Sequence, residues 1–325
     1  MRLFFFLLFL PFTAFSQTVL EGKAQGTYYV IKYMAADTGS RQSAIDSSFL
    51  QSAIDSIFAD IDQSLSLYKP NSLINQFNEK GHVQMDTHLQ AVINRSLEIS
   101  KITHGAFDIT VKPLVDAWGF GVHPPAERKV PSDDTLKSIL TYTGSKYLKV
   151  KGTALSRTNP RVTIDCNGIA QGYTSDVIGR FLESKGIHDY LVDVGGELCA
   201  KGRNAHQQYW TVGIEGESQR IIPLANRAVT TSGNYRRFFD SGGKRFAHTI
   251  DPRSGQAIHN NIISVTVVAT NAITADGFDN ALILMGVERA FAFIRQHPEL
   301  QLEAGFIYKD ADGNIQEAFS PNFPE

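Results

Sequence analysis

The chain has 325 residues, is 42% hydrophobic and carries a formal charge of -2 at neutral pH. That balance suits a globular protein and gives no general pull toward nucleic acid or an anionic membrane. Only two cysteines occur, Cys166 and Cys199, without metal-ligand spacing. Buried free thiols are the expectation, and a single disulfide is the alternative.

The N-terminus reads as an export signal. Arg2 precedes an unbroken apolar run, Leu3 to Leu10, and Ala14-Phe15-Ser16 offers small residues to a signal peptidase. The expectation is a signal peptide at 1–16, cleavage before Gln17, and one domain at 17–325 that is periplasmic or equivalently exported. An uncleaved anchor competes, although the run is short for a bilayer span.

Thr27 to Tyr33 reads as a strand. Leu50, Ile54, Ile57, Ile61 and Leu65 recur at steps of three and four, which predicts a helix between Ser43 and Leu65. The stretch from Leu67 to Ser72, with Pro70, breaks it. Leu89 to Ile102 is a second amphipathic helix. The Pro-rich region from Val122 to Asp134 is an exposed excursion. Arg161 to Cys166 is predicted to be a short strand running into a third helix, with Ile169, Tyr173, Val177 and Phe181 on its apolar face and Gly186 as C-cap. Tyr190 to Val194 is a buried strand, and further strands follow Trp210. A helix pair occupies about 273–297, and Leu302 to Tyr308 closes the chain as a strand. Helices and strands mix without strict alternation, which favours α+β, or a mixed-sheet α/β form, over a doubly wound sheet.

No Walker loop, G-x-G-x-x-G fingerprint, zincin histidine pair or G-x-S-x-G elbow is present. The chemistry-bearing stretches are of another kind. In Ala275-Asp276-Gly277-Phe278-Asp279-Asn280-Ala281, Asp276 and Asn280 share one helical face. A carboxylate and an amide oxygen there suit Mg²⁺, which takes oxygen ligands and shares them with phosphates. The competing reading is an Asp that complements the helix dipole.

Four other segments are rich in small and polar residues. Asp165 to Tyr173 passes from the strand through Gly168 and Gly172 into a helix, so its N-terminal amides suit phosphate; a plain strand-to-helix turn competes. Gly195-Gly196 ends a strand and allows either close ligand approach or a bulge. Thr230 to Arg237, with Thr231, Ser232, Gly233 and Arg236, reads as a diphosphate cradle or as a solvated turn. His248 precedes the turn at Asp251-Pro252 and is either structural or catalytic.

Taken in order, these stretches resemble the ApbE-type FAD:protein FMN transferases. The resemblance also covers Gly26-Thr27, Ser66-Leu67-Tyr68-Lys69-Pro70 with Ser72 and Phe77-Asn78, Gly105-Ala106-Phe107-Asp108-Ile109-Thr110-Val111, Pro113-Leu114-Val115 and Trp118-Gly119-Phe120-Gly121. It implies a single two-lobed α+β domain with mixed sheets, T-fold-like, with FAD in the cleft between the lobes. It implies Mg²⁺-dependent transfer of FMN from FAD to a Thr or Ser hydroxyl of another protein, releasing AMP. The acceptor would be an exported electron-transport flavoprotein subunit with a short flavinylation motif, placing the enzyme near a membrane.

By position, the resemblance gives the metal to Asp276, Asn280 and the Gly168 carbonyl. It gives FAD to Tyr68, Asp108, Gly195, Gly196, Thr231, Ser232, Gly233 and Arg236, and the transfer step to His248. Two positions depart from the family pattern: Asn280 stands where Thr is common, and Gln171 where Lys is common. A FAD-binding or storage protein and a FAD diphosphate hydrolase are the alternatives.

Overall fold

The computed structural model describes residues 15–36, 46–214, 220–233, 238–258 and 260–325. The chain opens with a hairpin, β1 (Phe15–Ala24) and β2 (Thr27–Ala36), then runs through α1 (Ser47–Leu65), α2 (Leu73–Lys80), β3 (His82–Gln84) and α3 (Thr87–Ile102). Next come α4 (Lys112–Ala117), α5 (Asp133–Leu140), β4 (Leu148–Lys151), β5 (Ala154–Arg157) and α6 (Ala170–Ser184). Seven strands follow: β6 (Tyr190–Val194), β7 (Glu197–Lys201), β8 (Trp210–Gly213), β9 (Ile221–Leu224), β10 (Ala228–Gly233), β11 (Phe238–Ser241) and β12 (Lys244–Ala247). The chain ends with β13 (Ile262–Ala269), α7 (Ala272–Met285), α8 (Val287–Gln296), β14 (Glu303–Lys309) and β15 (Ile315–Phe319).

The large sheet has the order β1-β2-β6-β7-β10-β13-β14-β15. Its pairings are all antiparallel, and so are those of the smaller sheets among the described strands. The sheets expected to mix strand directions therefore do not; hairpins and returning helices bring neighbouring strands back antiparallel. No helix of the described residues is long and apolar enough to cross a membrane.

One face of the large sheet carries the helices. Tyr29, Ile31, Val192 and Val194 pack against Leu50 and Ile54 of α1 and Ile178 and Leu182 of α6. Val265, Val267 and Phe306 pack against Phe278 and Leu282 of α7. Phe278 is fully buried, so truncation to alanine there costs about 3–5 kcal/mol. The opposite face is covered in part by the β8–β9 hairpin, where Trp210 and Ile222 lie on Leu198, Val229 and Val268. A separate cluster joins Leu114, Trp118 and Leu136 to the rings of Phe239 and Phe246. There the Trp118 indole donates to the Gly255 carbonyl at 2.8 Å.

Most expected elements are present. Gly186 has φ +77 just past α6. Its N–H bonds Glu183 O while Ile187 N–H bonds Leu182 O, the paired bonds of a left-handed helix stop. Three expectations change. Residues 162–166 form no strand, because Asn78 takes both backbone groups of Ile164, donating to its O at 2.9 Å and accepting from its N at 2.7 Å. Leu302–Tyr308 does not close the chain as a strand, since β15 adds an edge beyond it. A strand ahead of β2 was not foreseen: β1 begins at Phe15, two residues before the expected cleavage point, while residues 1–14 lie outside the described residues. Cys166 and Cys199 are free, and both are buried.

Candidate active site

The site is built where the N-terminal turn of α6 meets α7. Glycine makes that meeting possible. A Cβ on Gly172 would overlap the Ala272 carbonyl and stand 2.7 Å from the Asp276 Cβ. Asp176, one turn further along α6, accepts from Ala272 N at 2.8 Å and Ile273 N at 2.9 Å. These are two of the amides a helix start leaves without a partner. The side chain of Asn271 takes a third, Thr274 N, at 3.1 Å. With its first turn so fixed, α7 presents Asp276 to the Gly172 amide, which donates to the carboxylate at 2.8 Å.

Asp276 is 5% exposed. Burial raises its pKa from 3.8 to about 7, the Gly172 bond opposes this, and the nearby Asp176 charge adds to it. Asp279, one turn on and 3% exposed, is pushed well above the carboxylate range by burial, then by Asp276 and Glu197. Its Oδ1 has no hydrogen-bond partner. A carboxylate buried this deeply beside a second one calls for a cation or a proton.

Asn280 sits on the same face. Its Nδ2 lies 3.3 Å from where a Gly168 Cβ would stand, and its Oδ1 accepts from Thr249 Oγ1 at 3.4 Å. A half-turn of the amide exchanges the two atoms. Gly168 and Asn280 are thus neighbours, and Asn280 lies one turn from Asp276 on α7. Among the described residues no three His, Cys, Asp or Glu side chains form a metal cage. One carboxylate, one amide and a carbonyl instead suit Mg²⁺, which keeps waters and borrows phosphate oxygens. The N-cap residue of α6, Ile169, makes no side-chain cap bond; Cys166 O takes the Ala170 amide at 2.9 Å and Asp276 takes that of Gly172, so the positive end of the helix already holds a carboxylate.

His248 follows β12 directly and adjoins Thr249, the partner of Asn280. Its ring stands edge-on to Phe120, with centroids 6.4 Å apart. Gly195 and Gly196 form the turn between β6 and β7, at φ +69 and +109, a region that favours glycine. A Cβ at Gly195 would press within 3.0 Å of the Gln171 amide and 2.7 Å of Thr27, so this turn lies against the first turn of α6. Tyr68 lies on the loop after α1 and is 63% exposed, an unusual state for a large aromatic ring. Neighbouring Lys69 and Gln25 both act on Asp62, and Gln25 also donates to Thr174 of α6 at 3.1 Å, which ties the loop to the same helix start.

The remaining positions are placed differently. Asp108 is buried, and its oxygens accept from Thr110 N and Oγ1, Ser145 N and Oγ, and Ser100 Oγ, so it knots two loops together. The 228–233 stretch is not a turn but a central strand, and this alters the expected cradle. Thr231 pairs with Thr266 through its hydroxyl, at 2.9 Å, on the face covered by the hairpin. Ser232 is opposite Val265 on the helix face, so the two hydroxyls point apart. Gly233 ends the strand, and Arg236 lies outside the described residues. Sequence reasoning gave no role to Asp176, Asp279 or Thr249, and read Gly172 as part of a phosphate-suited turn rather than as the close contact that admits α7. Only Asp279 had a signal, being three residues from Asp276 on one helical stripe.

The ApbE family model matches residues 25–304. The chain belongs to the ApbE family. It is 35% identical to the FAD:protein FMN transferase of Vibrio cholerae over 307 residues, covering 91% of this chain and 89% of that relative. It is 34% identical to the FAD:protein FMN transferase of Escherichia coli K12 over 321 residues, covering 94% of this chain and 88% of the relative. The solved flavin transferase ApbE from Vibrio cholerae superposes with a TM-score of 0.84 at 34% identity, covering 95% of this chain and 98% of that one. The apo flavinyl transferase ApbE of Pseudomonas stutzeri superposes with a TM-score of 0.86 at 29% identity, covering 96% and 97%. The ApbE match thus spans both α6 and α7, the elements that bring the site together.

Proposed function

We propose that this protein transfers FMN from FAD to a Ser or Thr hydroxyl of an acceptor protein, releasing AMP, and that it does so outside the cytoplasm with Mg²⁺. The observation that carries the reading is that α7 sets Asp276 against the start of α6 and Asn280 beside Gly168 in the turn before it. Relatives covering nine-tenths of the chain bear the name of that activity. The acceptor is an exported flavoprotein of electron transport.

The residues divide the work. Asp276, Asn280 and the Gly168 carbonyl would hold Mg²⁺, which neutralises charge on the diphosphate. The positive end of α6, where Asp276 takes the Gly172 amide, favours the anionic side chain that the metal needs. Tyr68 gives the flavin ring an aromatic face. The acceptor oxygen bonds to the FMN phosphorus as the bond to the AMP oxygen breaks. AMP leaves with that electron pair, and His248 accepts the proton of the attacking hydroxyl.

The test is incubation of the protein with FAD, Mg²⁺ and a purified exported flavoprotein from the same cells. The expected result is flavin that stays on the acceptor through a denaturing gel, with one AMP per flavin attached. FMN and AMP without labelled acceptor would mean hydrolysis, and unchanged bound FAD would mean storage.

A further inference from the structure

Beside the site lies a second feature that the chemistry above does not use. A groove of about 510 Å³ runs between β8 and the hairpin face of the large sheet, on the side away from the helices. One wall is the exposed face of β2 and β6, with Tyr28, Val30 and Asp193. The other wall is β8 itself. All four of its residues, Trp210 to Gly213, line the groove. A strand that showed the groove one face would line it with alternate residues only. Strand β8 therefore meets the groove edge-on. It pairs with β9 on its other side and, apart from the single bridge of Tyr209 to Arg203 just ahead of it, with no further strand among the described residues. An edge of this kind offers unpaired N–H and C=O groups.

The groove reaches the β6–β7 turn, which borders the start of α6. Gly196 lines it, and nothing lies within 4 Å of where a Gly196 side chain would begin. The preceding residue, Gly195, packs on Gln171 at the start of α6. One two-glycine turn thus has the groove on one side and the candidate phosphate site on the other.

We propose that the acceptor polypeptide docks here as an extended segment, adding as a strand to the free edge of β8 and passing Gly196 to bring its hydroxyl to the site. This rests on the transfer reading, which requires a polypeptide substrate. An extended chain fits the strand edge that the groove presents. Backbone pairing supplies affinity, while the mixed polar and apolar wall sorts alternate side chains.

The probe is the acceptor protein labelled in the transfer assay, with its modified Ser or Thr replaced by alanine so that no turnover occurs. Hydrogen exchange at Thr211 to Gly213 of the full-length enzyme should slow when this probe is added, and not with FAD alone. Thr211→Pro removes an edge N–H and should raise KM for the acceptor about tenfold, with FAD affinity unchanged. Thr211→Val keeps the N–H and should behave as the parent. A probe that inhibits transfer competitively yet leaves β8 exchange unaltered overturns the proposal, whether or not Thr211→Pro folds. So does protection that appears on raising enzyme concentration alone, which would put a second copy in the groove. Absence of transfer to any acceptor by the parent enzyme would instead sink the transfer reading, and this docking with it.

Discussion

The amide of Gly172 donates to the carboxylate of Asp276 across the α6–α7 contact, at 2.8 Å. It is one of the donors that the start of α6 leaves unpaired within the helix. A single bond therefore satisfies one helix and positions the charged residue of the other. The position holds only while residue 172 has no side chain.

Gly172→Ala should accordingly separate the helices. The added methyl would meet the Ala272 backbone and the Asp276 Cβ, neither of which can swing away. A loss of about 1–3 kcal/mol is expected from overpacking of this kind. Urea unfolding checks it, and an unchanged midpoint would show that the contact is looser than described.

Asp276 makes metal binding and stability depend on pH. Its folded pKa, about 7, stands above the ordinary 3.8. The folded protein thus holds this proton more tightly than the unfolded chain. Without metal, the stability from this proton is complete below about 4 and is lost as pH rises to about 7. A cation must displace the same proton, so Mg²⁺ affinity should climb over that interval and level off above it. Asp279 is raised as well and sits close by, so the two titrate as a pair. Asp276→Asn keeps an acceptor for Gly172. It should melt higher than the parent at pH 8 without metal, yet lose Mg²⁺-dependent AMP release. Calorimetry at two pH values and a metal titration read both effects.

Tyr68 is exposed, and its ring meets no other aromatic ring among the described residues. Tyr68→Ala should leave the melting temperature alone and weaken FAD binding by about 0.5–1.5 kcal/mol, the share due to ring stacking. Flavin fluorescence quenching measures it, and equal affinities would exclude the stacking role.

For His248 the decisive comparison is between binding and rate. His248→Ala should retain FAD and Mg²⁺ while slowing transfer to the acceptor by about 10²–10⁴-fold, as loss of a general base does. A structural residue would lower stability and FAD affinity together. Parallel measurement of melting temperature, FAD affinity and transfer rate on one preparation separates the two.

Much of the site could be read along the chain because its parts are local. Asp276 and Asn280 share a helical stripe whatever the helix packs against. Gly168 marks the turn that opens α6. Segments that depend on distant partners were less legible. Residues 161–166 have the residue types of a strand, but Asn78, more than eighty positions away, takes the Ile164 backbone instead. Thr231 and Ser232 look like one polar cluster and are set on opposite faces by the two-residue period of β10.

The sequence by itself determined which residues could do chemistry, their order, the helix that carries Asp276 and the turn that carries Gly168. These depend on residue type and spacing, which the chain fixes before it folds. Tertiary structure alone decided that Asp176 holds α7 by its first amides, that Asp276 and Asp279 lie out of water, and that β8 keeps one edge free beside Gly196. Burial and strand pairing arise between segments far apart in the chain, and a carboxylate changes its proton affinity only when packing removes the water around it.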